Sequence, residues 1–205
     1  NPNYAPALTN LGAIEINLGN HKKALQLQKK AVTSSPESVP SWFNLANCLI
    51  SINQLDDAEI ALHKAIKLKP DLIQLQTKLG SLLIQKNKFL EAITPLKYAL
   101  TLNPKQLEIH TLLSIAYQNT GDFEKAENHS LHAIDLDPKI SNNHYLLATS
   151  LLRQDKTEEA EQALRKSIEI KPDFFSGNLN LGVLLQQIGK SEEAQIYLEK
   201  ALKIE

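Results

Sequence analysis

The chain is poor in the residues most chemistry needs. It has 205 residues, no methionine, one tryptophan and a single cysteine, Cys48. One cysteine excludes an internal disulfide and a thiolate zinc cluster, and fits a reducing compartment, so a cytoplasmic location is the expectation. With no methionine, the sequence is expected to be an internal fragment or a processed product. No apolar run approaches the roughly 18 residues a bilayer crossing requires, and the start, Asn1-Pro2-Asn3-Tyr4, lacks a charged-then-apolar signal pattern. Membrane insertion is not expected. Twenty-two basic residues against twenty-three acidic ones leave a net charge of −1, so no field draws in nucleic acid. A Gly-rich phosphate loop, GxSxG, HExxH and CxxC are all missing. No catalytic residue, cofactor site or metal site is assigned, and the chain is read as no enzyme. His129 and His132 stand one helical turn apart and could share a metal, but no third ligand is evident at suitable spacing.

What is present is periodic. Prolines recur at Pro2, Pro36, Pro70, Pro104, Pro138 and Pro172, thirty-four residues apart, with no insertion. The same spacing relates Leu11, Leu45, Leu79, Leu113, Leu147 and Leu181, each followed by a small residue, Gly12, Ala46, Gly80, Ser114, Ala148 and Gly182. A large residue beside a small one suits closely packed helices. An invariant alanine column runs from Ala24 to Ala194, and another reads Ala31, Ala65, Ala99, Ala133, Ser167 and Ala201. Between them, Gly19, Asn53, Asn87, Gly121, Asp155 and Gly189 are residue types that tolerate a left-handed backbone, and they predict helix stops. Each repeat therefore splits into two helices, predicted over 5–18 and 21–34 and at multiples of thirty-four beyond. Six such repeats, 5–38, 39–72, 73–106, 107–140, 141–174 and 175–205, form one domain, because helix pairs that cannot each close a core stack on their neighbours.

Several irregularities carry expectations. Most second helices open with acidic residues that complement the helix dipole, whereas repeat one opens with Lys22-Lys23 and is predicted to be the least stable start. Pro95, mid-helix in repeat three, predicts a kink. The clusters Glu158-Glu159-Glu161, Lys22-Lys23 and Lys29-Lys30 read as solvated outer faces.

These columns resemble the tetratricopeptide-repeat family, whose pattern runs aromatic, two residues, Leu-Gly, two residues, Tyr, then Ala, Phe, Ala and Pro. Trp42 through Leu49 and Leu113-Ser114-Ile115-Ala116-Tyr117 carry parts of that pattern, and the Leu, small, Ala and Pro columns carry it along nearly the whole chain. Departures include Glu15 at the Tyr position, Gln28 and Ser130 at a large apolar one, and Gln76, His110, His144 and Asn178 where repeat two has Trp42. They are expected to weaken individual repeats.

The resemblance implies an all-α, right-handed superhelical solenoid whose first helices line a concave groove. Placed on this sequence, thirty-six positions face that groove, and only Lys78, Glu108 and Arg153 among them are charged, against about eight expected from the chain-wide 22%. The groove is thus expected to be neutral and rich in amides. Relatives that capture a carboxylate terminus carry several basic residues here, so that function is rejected. Asn10, Asn44 and Asn180 match the asparagine ladder that some relatives run along a bound peptide backbone, a task suited to an amide's paired donors and acceptor. Phe43 and Tyr145 are the candidate aromatic anchors, and Asn47, Lys78, Thr111 and Arg153 complete the peptide-binding set. The expected function is a non-catalytic protein-interaction scaffold that binds a protein or peptide segment. The alternative is the substrate-recruiting or regulatory region of a larger enzyme such as a glycosyltransferase or sulfotransferase. RNA recognition by a related repeat family is disfavoured by period and charge. Exposed apolar stripes, Ala7, Leu11, Ile14 and Leu18 at one end and Leu198 with Leu202 at the other, further predict head-to-tail self-association.

Overall fold

A computed structural model describes residues 3–204, so Asn1 and the first periodic proline, Pro2, lie outside the described residues. Twelve α-helices and no strand are found among the described residues, in six consecutive pairs. They are α1 (Ala5–Asn17) and α2 (His21–Ser34), α3 (Val39–Ser51) and α4 (Leu55–Leu68), and α5 (Ile73–Gln85) and α6 (Phe89–Leu102). The series continues with α7 (Leu107–Thr120) and α8 (Phe123–Leu136), α9 (Ser141–Leu152) and α10 (Thr157–Ile170), and α11 (Phe175–Gln187) and α12 (Ser191–Ile204). Every second helix occupies its predicted span, while five of the six first helices stop one or two residues early. The reason is the turn: Asn53, Asn87 and Asp155 take φ near +60°, and Gly19, Gly121 and Gly189 take φ near +80°, so the chain leaves the helix just ahead of them.

The pairs group into two compact units, one reaching Pro104 and the other starting at Lys105. Within each unit the small columns are the contact surfaces. Ala24, Ala58, Ala92, Ala126 and Ala160 are fully buried, as are Ala31, Ala65, Ala99 and Ala133. A side chain on Gly80 would place its Cβ 2.4 Å from the Leu96 side chain of the paired helix, so nothing larger than hydrogen fits there without movement. Volumes compensate across this contact. In repeat four Ser114 meets the small Ser130 instead of a leucine, and the two hydroxyls share a 2.7 Å hydrogen bond. In repeat one Gly12 makes room for Gln28, whose Nε2 donates to the Thr9 carbonyl.

The polar departures make hydrogen bonds of their own, while Gln28 Oε1 and Asn178 Oδ1 are buried without a partner, a cost in keeping with weakened repeats. Trp42 Nε1 donates to the Pro36 carbonyl at 2.7 Å, and Gln76 Nε2 and Asn178 Nδ2 donate to the Pro70 and Pro172 carbonyls at 3.0 and 2.9 Å. His144 Nε2 lies 2.9 Å from the Pro138 carbonyl. Tryptophan, glutamine, histidine and asparagine thus each reach the proline carbonyl six residues back in their own repeats, while repeat one has Leu8 in register with them. Glu15 is equally well served: Lys23 pairs with it at 2.5 Å and Asn20 donates to it, which pulls its carboxyl below the ordinary range. Lys23 thus ties the first turn as well as opposing the α2 dipole. Helix α6 runs without interruption through Pro95, whose ring is buried.

Ion pairs join successive repeats. Lys88, Lys156 and Lys190, the residues just before three second helices, reach back to Glu59, Glu127 and Glu161 on the preceding second helices at 3.4, 2.7 and 2.9 Å. Lys86 adds a 2.5 Å contact to Glu59. Glu161, expected on a solvated face, is in fact held by Lys190 and Arg165, while Glu158 and Glu159 are exposed as expected.

Candidate peptide-binding face

The exposed face of the first helices differs between the units. In the first, Asn10 on α1 is exposed, and Phe43, Asn44 and Asn47 on α3 and Lys78 on α5 are partly buried. Positions three and four apart share one side of a helix, which places Phe43, Asn44 and Asn47 together. The side chains of Asn10, Asn44 and Asn47 make no hydrogen bond and Lys78 no ion pair among the described residues. Their amide groups are free to meet a ligand.

In the second unit several of the corresponding groups are engaged, although the side chains of Asn142, Gln186 and Gln187 make no hydrogen bond among the described residues. The Thr111 hydroxyl on α7 donates to Asn143 Oδ1 on α9 at 2.9 Å, so it braces the two helices. Gln118 Nε2 lies 2.5–2.8 Å from the Leu146 carbonyl and the Thr149 and Ser150 hydroxyls. Asn180 Nδ2 on α11 donates to the Tyr145 hydroxyl at 3.3 Å, and Tyr145 meets Phe174 edge-on with ring centres 5.2 Å apart. Arg153, exposed at the end of α9, lays its guanidinium 5.1 Å from the centre of the Phe123 ring and makes no ion pair among the described residues. With Gln118, Asn119 and Thr149 these two residues line a pocket of about 330 Å³. The structure thus brings Tyr145 to Asn180 and gathers Arg153 with three amide or hydroxyl neighbours, while Thr111 faces its own framework. Phe123 and Phe174 were missed because they sit at the turns, outside the helix positions that the periodicity projects onto this face.

The histidines also form a group that spacing alone did not reveal. His110 on α7 brings its Nδ1 to 3.0 Å from His129 Nδ1 and stacks on His132 at 5.1 Å, and Tyr117 stacks on His129. A hydrogen bond between two Nδ1 atoms needs one donor and one acceptor, so at least one of these rings is neutral. His132 Nδ1 bonds the Asn128 carbonyl instead. No group of three or more His, Cys, Asp or Glu side chains suited to a metal is found among the described residues. No helix among them is long and apolar enough to cross a membrane.

Comparison with known proteins agrees with this architecture. The model described as the cilia and flagella-associated protein 70 C-terminal domain, a tetratricopeptide-repeat model, matches residues 2–178, and a tetratricopeptide-repeat model matches residues 176–205. The chain belongs to this tetratricopeptide-repeat family. No curated protein matches it. Among solved structures, MamA 41-end from Desulfovibrio magneticus RS-1 superposes with a TM-score of 0.78 at 20% identity, over 83% of this chain and 96% of that one. YrrB, described as a tetratricopeptide protein with an unusual peptide-binding site, gives 0.76 at 20% identity, over 86% and 91%. The Cut9–Hcn1 hetero-tetramer of APC/C gives 0.77 at 18% identity, over all of this chain and 41% of that one. These likenesses establish the all-α superhelical repeat fold that the tetratricopeptide columns imply.

Proposed function

We propose that this tetratricopeptide chain is a non-catalytic interaction scaffold that receives a segment of a partner protein on the face of its first helices. The observation that carries this reading is the set of unpartnered amides on the first unit, Asn10, Asn44 and Asn47, beside the partly buried Phe43. An extended segment presents an N–H and a C=O at every residue, and an Asn side chain complements both. Phe43 supplies a rigid apolar anchor, the kind of group that dominates binding energy when a partner covers it. Taken by itself, the second unit offers Tyr145, Arg153 and Asn180 on its first-helix face, with Arg153 a basic group for an acidic side chain. The description of YrrB as peptide-binding is in keeping with this use of the fold.

A handful of amide hydrogen bonds at about 0.5–1.5 kcal/mol each, with one or two aromatic anchors, corresponds to micromolar affinity, on the order of −8 kcal/mol. Peptides selected from a random displayed library on the immobilised chain test the site. Phe43→Ala and Asn44→Ala should each weaken the selected peptides about tenfold without loss of helical signal. Peptides that bind both variants as tightly as the parent chain would place the binding face elsewhere.

A further inference from the structure

On the side of the second helices, between α4 and α6 with α5 as its floor, lies a cavity of about 510 Å³, away from the amides of the first-helix face. Its walls are largely apolar, with Ile66 from α4, Leu79 and Leu83 from α5 and Pro95 from α6, and its lining also includes His63, Glu91 and Glu59, the last held by Lys86 and Lys88. Gln76 and Pro70 also line it, joined by the hydrogen bond from the amide to the proline carbonyl.

One repeat earlier, the position of Gln76 is held by Trp42, whose indole makes the same bond to Pro36. The protein therefore shows what this position accommodates. An indole fits against the proline carbonyl in repeat two, and where the shorter glutamine makes the bond in repeat three, the space beside it is open. The second unit repeats the observation: His144, Leu147 and Leu151 stand 68 residues after Gln76, Leu79 and Leu83 and line a cavity of about 400 Å³. There Lys156 and Gln162 make the lining more polar than that of the first cavity, while Ala163 stands where Pro95 does. Pro95 also has no N–H to give the Glu91 carbonyl four residues back, so Glu91, which lines the same cavity, carries a backbone acceptor without its helical donor.

We infer that the cavity between α4 and α6 is a second docking site, and that its occupant is an aromatic side chain, an indole above all, presented by a protein partner. The apolar walls take the ring, and the Glu91 backbone carbonyl, which Pro95 leaves without its helical donor, suits the N–H that an indole carries. This site is independent of the first-helix face, so a partner can use either or both.

The test uses the intact chain with 13C-labelled Ile, Leu and Val methyl groups, titrated with N-acetyl-L-tryptophanamide. Saturable shifts are expected on Ile66, Leu79 and Leu83 below about 10 mM, the range of a single buried ring. N-acetyl-L-leucinamide should shift them at least fivefold less at equal concentration. Gln76→Trp, which supplies the ring from within, should abolish the response, and Thr94→Trp, at the exposed rim on α6, should weaken it at least fivefold should the first variant misfold. Shifts that do not saturate, that spread equally to the exposed Leu11 and Leu202, that the leucine analogue reproduces, or that persist in the folded variants would overturn the proposal.

Discussion

The two units are built from the same columns and the same helix pairs, yet they spend their amides differently. In the first, Asn10, Asn44 and Asn47 point no hydrogen bond at the protein, whereas in the second Gln118, Asn143 and Asn180 are bound into contacts between helices. Composition is nearly constant along the chain, so what separates the units is the neighbour each amide finds. Asn180 meets Tyr145, and Gln118 meets the Leu146 carbonyl with two hydroxyls beside it. An unpartnered amide on an exposed face is available to a ligand, while a satisfied one rigidifies the scaffold that presents it.

The largest expected effect tests whether the repeats share one packing logic. Leu113→Ala, at a fully buried site, should cost about 2–5 kcal/mol, while Leu11→Ala, in the same column but 49% exposed, should cost under about 1 kcal/mol. Equal losses on denaturant titration would mean that the column does not carry equivalent contacts. The next effect sharpens the contrast between amides. Gln118→Ala removes donors to the Leu146 carbonyl and two hydroxyls and should cost about 1–3 kcal/mol, whereas Asn44→Ala should stay within about 0.5 kcal/mol and be felt only in binding. A destabilising Asn44→Ala would mean that this amide supports the fold.

Charge offers a smaller test, one on which the units should agree. Burial raises the Glu59 carboxyl, but Lys86 and Lys88 outweigh it and hold the group below its ordinary value of 4.5, and Glu127 is lowered likewise by Lys156 and Gln154 against burial. Lys190 is the main cause at Glu161, with burial opposing it and Arg165 assisting. A lowered carboxylate contributes stability that is complete above its unfolded value and is lost as pH falls through the folded one. Thermal stability should therefore hold down to about pH 4.5 and decline below it. Glu59→Gln and Glu127→Gln should each flatten that decline, by about 0.5–1 kcal/mol per pair. Peptide binding to the neutral first-helix face should, by contrast, change little between low and physiological salt.

The smallest expected effect concerns the ends. Leu11 and Ile14 are 49% and 53% exposed where Leu45 and Cys48 are buried, and Leu202 is 75% exposed where Val32 and Ile168 are buried. We propose weak head-to-tail association through these stripes, because they are opposite sides of one repeating contact. Sedimentation over a hundredfold concentration range should show mass rising with concentration for the parent chain and a constant monomer for Leu202→Lys. A monomer throughout would remove the idea.

The sequence alone determined the period, the helix pairs and the spans of the second helices, because a Gly, Asn or Asp that tolerates positive φ is a local constraint, readable at the residue. The alanine columns likewise announced their burial, since close helix contact admits only small groups. Tertiary structure alone decided which polar side chains are free. Glu161 reads as solvated until Lys190 of the next repeat reaches it, His110 joins His129 only when α7 packs on α8, and Gln76 reads as a poor replacement for tryptophan until its N–H finds the Pro70 carbonyl. A side chain's partners depend on the distances between helices, and those are set by packing rather than by spacing along the chain.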